Sequence, residues 1–125
     1  MKIAVLIARI LLGLIFVFFG LNGFFNFLHA QLPGGVAGQF LGALFVSHYV
    51  LAVAAFQVIG GALMLVGRFI PLGLVILGAI LVNILLFHIT MAPAGILPGI
   101  ICTILWFIIF AGHRSAFAGI LSANG

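Results

Sequence analysis

The chain contains no aspartate and no glutamate. That absence removes carboxylate general acid/base chemistry, carboxylate metal ligands and the buried carboxylate on which proton-coupled carriers usually rely. Positive charge is scarce too. Four Lys and Arg residues spread over 125 positions make no basic patch, so a basic balance does not point to nucleic acid. A single cysteine, Cys102, excludes an intrachain disulfide and a CxxC redox pair, and no secure haem, flavin or metal motif is present. With charged residues at 3% and hydrophobic residues at 67%, the chain lacks the polar surface a soluble domain requires.

Long apolar runs take the place of that surface. The run organising the chain is IPLGLVILGAILVNILLFHITM, residues 70–91, interrupted strongly only by Asn83 and His88. At ~1.5 Å per residue it can cross a hydrocarbon core of ~30 Å. Similar runs at about 3–28, 48–66 and 96–111 predict four spans. The expected fold is therefore an all-α integral membrane four-helix bundle, one transmembrane domain over residues 1–125. Lys2 followed by apolar residues imitates a signal peptide, but Arg9 interrupts the run and no A-x-A site follows, which predicts a retained helix.

HAQLPGG (29–35) breaks the chain after the first span. Val36, Ala37, Phe40, Leu41, Leu44 and Phe45 then recur with helical spacing, so 36–46 reads as a short amphipathic helix of the membrane interface. Ser47 is the expected N-cap of the second span. In this topology Lys2, Arg9, Arg68 and Arg114 fall on one side and none on the other. The positive-inside rule then predicts a multi-pass protein of the cell (inner) membrane with both termini cytoplasmic. The cations are suited to anionic lipid headgroups.

The uncharged polar residues gather at the other side. Asn22, Asn26 and His29 form a stripe at the outer end of the first span, with Phe18 and Phe19 beneath it. Gln57 lies ~14 Å below the outer start of the second span, on a face with Ala54 and Gly61. Asn83 shares a face of the third span with Phe87 and Thr90, while His88 stands ~140° round the helix, so one narrow pocket need not hold both. Two readings fit these amides: hydrogen bonding to a quinone carbonyl, or bridging between helices worth ~0.6–2 kcal/mol each. His88 can also exchange a proton with a quinol hydroxyl. His29, His48 and His88 share the outer boundary, but their spacing matches no compact metal or haem motif.

Other singled-out residues have structural readings. Arg9 is expected to snorkel, and Cys102 and Trp106 to pack within the fourth span. Gly38–Gly42 and Gly95–Gly99 match G-x-x-x-G but lie at loops or helix ends, where the motif argues only weakly for dimerisation; a homo-oligomer is compatible with the sequence.

RILLGLIFVFFGLNGFFNF (9–27), FQVIGGALMLVGRFIPLGLVILGAILVNILLFH (56–88) and the short helix between them resemble the DoxX-like family of small four-span membrane proteins. The resemblance runs over nearly the whole chain and is most specific in the GLN tract, the GG pair and the VNI–FH tract. It implies the four-span fold and an association with quinone-linked redox systems, including subunits of thiosulfate:quinone oxidoreductases. The family pattern often has Glu at the position of Gln57, so a role needing a carboxylate there does not carry over.

The expected function is a small membrane subunit that binds quinone or quinol beside a redox-enzyme partner, not catalytic by itself. The candidate ligand-binding residues are Asn22, Asn26, Gln57, Asn83 and His88, with Phe18, Phe19 and Phe87 lining the ring. No catalytic residue, metal or covalent cofactor is assigned. The alternatives are a structural or assembly membrane protein and a small passive channel.

Overall fold

The structure, a computed structural model, describes residues 2–26, 31–120 and 122–123. Among them the chain is helical and carries no strand: α1 (Lys2–Phe25), α2 (Gly35–Val46), α3 (Tyr49–Val66), α4 (Ile70–Met91) and α5 (Leu97–His113). Short 3-10 turns follow at Pro93–Gly95 and Arg114–Phe117. α1, α3, α4 and α5 extended through Phe117 are long and apolar enough to cross a membrane.

These four helices close a ring in which α1 and α4 each pack on both α3 and α5. Every neighbour runs antiparallel: Gly13 meets Gly61, Gly60 meets Leu77, Gly78 meets Trp106 and Gly112 meets Val5. Leu12, Met64, Leu74, Leu77 and Ile109 fill the axis. Outside it the apolar character continues, with Leu14, Val75, Val82, Ile104 and Phe107 all more than half exposed. An apolar surface of that extent on every helix is compatible with a membrane bundle.

Small residues decide which faces meet. A Cβ on Gly13 would stand 2.8 Å from the Gly61 carbonyl, and one on Gly61 would stand 2.9 Å from the Gly13 carbonyl. The α1 and α3 backbones therefore touch, as in membrane helix pairs where dispersion between close backbones replaces the hydrophobic effect. Gly95 and Gly99 lie against His88, Ile84 and Leu85 of α4, while Gly38 lies against the Pro33 carbonyl. Both G-x-x-x-G stretches thus have contacts inside the chain.

Helix ends carry their own local chemistry. α1 is described to Phe25, where Asn26 turns left-handed (φ 48°) and donates its N–H to the Asn22 carbonyl at 2.7 Å; Leu28, the end expected from the sequence, lies outside the described residues. Asparagine tolerates this cap conformation better than the apolar residues around it. Ser47 is the C-cap of α2, and left-handed His48 (φ 63°) is the N-cap of α3. The Ser47 hydroxyl still accepts the Tyr49 N–H at 3.3 Å, so its capping chemistry is used one residue off register. Pro71 and Pro98 sit in the first turns of α4 and α5, where a missing N–H costs little.

Arg9 does more than snorkel. Its Nε donates to the Met64 carbonyl at 2.8 Å, and its guanidinium lies beside Gly67, the left-handed cap (φ 77°) of α3. The cation thereby satisfies a carbonyl at the negative end of a neighbouring helix. With Val5 against Gly112, this contact gathers Lys2, Arg9, Arg68 and Arg114 at one end of the bundle.

Candidate functional site: a groove between α3 and α4 under α2

At the opposite end, α2 lies across α3 and α4. Ala37 is the buried residue of α2, and the Phe40 ring tilts over Phe87 with centroids 5.6 Å apart. The three helices line an open-sided groove of about 500 Å³. Phe40, Leu41 and Leu44 form its roof, Tyr49, Val53 and Gln57 the α3 wall, and Asn83, Phe87, His88 and Thr90 lead the α4 wall.

Hydrogen bonds give the two walls opposite character. On α4 the donors are turned back on their own helix: Asn83 Nδ2 donates to the Ala79 carbonyl at 2.8 Å, and the Thr90 hydroxyl to the Leu86 carbonyl at 2.6 Å. His88 Nδ1 lies 2.9 Å from the Ile84 carbonyl. A carbonyl only accepts, so Nδ1 carries the proton and Nε2 of the neutral ring is an acceptor. Asn83 Oδ1 and Thr90 Oγ1 are thereby left as acceptors on the α4 wall, while the Nε2 edge of His88 lies beside Gly95 at the mouth of the α4–α5 turn. On α3, Gln57 is half-buried, and among the described residues its amide has no hydrogen-bond partner. With the Tyr49 hydroxyl, it puts hydrogen-bond donors on the α3 side of the same groove.

Four of the eight sequence candidates, Gln57, Asn83, Phe87 and His88, thus share one groove. Asn83 and His88 do so despite their ~140° separation on the helix. The groove spreads over a broad face of α4 and is only partly covered by α2, so it is not the narrow pocket that separation would exclude. The other four stand apart on α1. Phe18 and Phe19 are 46% and 51% exposed and pack edge to face at 5.1 Å. Asn22 is half-buried, and Asn26 is the exposed cap of α1. His29 lies outside the described residues.

Sequence reasoning did not assign Tyr49 or the α2 side chains to the site. Tyr49, Val53 and Gln57 recur every four residues, a spacing that places them along one side of α3. The sequence places the 36–46 helix as a cap over the uncharged polar residues, but which two spans it lies across is not a local property. Among the described residues, no three His or Cys side chains gather to hold a metal ion.

The chain matches no family model, no curated protein and no solved structure.

Proposed function

We propose that this chain is a small multi-pass subunit of the cell (inner) membrane, both termini cytoplasmic, that binds quinone or quinol in the α3/α4 groove beside a redox-enzyme partner. The observation carrying this reading is one largely apolar groove shared by the Gln57 amide, which has no hydrogen-bond partner among the described residues, and by Asn83 and His88 of α4. A quinol hydroxyl donates to His88 Nε2 or Asn83 Oδ1, while a ring oxygen accepts from Gln57. Phe87 and Phe40 offer aromatic faces, and an isoprenoid tail leaves between α3 and α4. Without any carboxylate in the chain, nothing offsets desolvation of a cation, so a neutral amphiphile is the better guest. The DoxX-like resemblance supports the same ligand class.

The bridging alternative has less support at two of its positions. Asn83 bonds within its own helix and Gln57 to no described residue, so neither amide ties helices together.

The test is quinone content, measured by mass spectrometry of lipid extracted from the purified chain, together with titration by decylubiquinol. Gln57→Leu and His88→Phe should each weaken binding about fivefold, the worth of one hydrogen bond of ~1 kcal/mol, and leave thermal stability nearly unchanged. Unchanged ligand content with lowered stability in both variants would mean that these side chains serve the bundle alone.

A further inference from the structure

A second groove, of about 620 Å³, runs between α4 and α5 on another face of α4. Its walls include Leu74, Gly78, Leu81 and Leu85 from α4 and Trp106 and Phe110 from α5. Two polar side chains line it, and both are already bonded. Trp106 Nε1 donates to the Leu74 carbonyl at 2.8 Å, and the Thr103 hydroxyl to the Gly99 carbonyl at 2.7 Å. A ligand in this groove therefore meets hydrocarbon.

Its length is specific. Leu74 to Leu85 is ~16 Å of helix at ~1.5 Å per residue, close to half of a ~30 Å hydrocarbon core. One leaflet's acyl chain has that reach. The aromatic rings supply a continuous bed: Trp106 stacks on Phe110 at 5.4 Å and 8°, and Phe110 meets Phe117 at 5.1 Å. Phe117 and Ile120, three and six residues after Arg114, line the groove at the C-terminal end of α5. That end is also the one where all four Lys and Arg residues gather, in a protein with no acidic side chain to compete for them.

We propose that the α4/α5 groove holds an acyl chain of an anionic phospholipid whose phosphate meets Arg114. The ring bed orders the chain along α5, and the exposed guanidinium selects the headgroup at its end.

Trp106 is the only tryptophan of the chain, so its fluorescence reports this groove directly. The full chain is placed in phosphatidylcholine nanodiscs containing graded phosphatidylglycerol, with one lipid or the other brominated along its acyl chains. Brominated phosphatidylglycerol should quench Trp106 at a mole fraction roughly fivefold lower than brominated phosphatidylcholine, about one cation's attraction to an anionic surface. Arg114→Ala should bring the two curves together, and Arg114→Lys should keep them apart. Equal quenching by both lipids in the native chain would overturn headgroup selection. No quenching by either would overturn lipid occupancy and point to a protein cover such as a second copy. Gln57 and His88 are outside this groove, so the result is independent of the quinone reading.

Discussion

Gly61 shows what a missing side chain does in this bundle. A Cβ there would approach the Gly13 carbonyl, Val17 N and a Val17 methyl at 2.9 Å each. Two of these three atoms are backbone, so relief requires the helices to part. Gly61→Leu should therefore destabilise the bundle by about 1–3 kcal/mol, the range for overpacking a close contact. Gly34, where an added Cβ would meet nothing within 4 Å, is the control, and Gly34→Leu should leave the thermal midpoint in detergent near that of the parent. Equal midpoints for the two variants would contradict the tight α1–α3 contact. Composition announces the glycines, but only the neighbouring helix shows which are in contact.

α2 acts as an element. It is too short to span, and its part is to lie across α3 and α4 by Phe40 and Leu44. Its existence follows from the spacing of Val36, Ala37, Phe40, Leu41 and Leu44, whereas its place over the groove depends on Phe87 lying opposite. If α2 is the roof of a ligand site, Phe40→Ala should accelerate decylubiquinol release by several-fold while the spans stay folded. Gln39→Ala, an exposed position outside the groove lining, should not. Stopped-flow displacement checks both, and equal release rates in the two variants would remove the roof from the mechanism.

On the scale of the whole molecule, cations occupy one end and the uncharged polar groove the other. The positive-inside rule turns that asymmetry into a topology prediction. In a Cys102→Ala background, cysteine introduced by Gln31→Cys should react with a membrane-impermeant maleimide in intact cells, and cysteine introduced by Ser122→Cys only after permeabilisation. The reverse pattern would invert the orientation. The same asymmetry separates the two grooves, since the polar one is roofed at the cation-free end and the hydrocarbon one runs towards the cations.

The sequence by itself determined the helical class, the four long apolar helices and the clustering of cations. Apolarity, helix length and internal hydrogen bonding are local properties, and with charged residues at 3% the chain carries little polar surface of any kind. Four of the residues lining the candidate site were legible as well, because Gln57, Asn83, Phe87 and His88 are polar or aromatic at matching depths. Depth is a local coordinate along the helix. The direction each residue faces is not, and the tertiary structure alone decided it. These helices are apolar nearly all round, so no hydrophobic stripe marks an inner face, and the choice passes to close packing at Gly13, Gly60 and Gly61. That packing joins α3 to α4 under α2, leaves Phe18, Phe19 and Asn26 outside the groove, and sets Trp106 against Leu74.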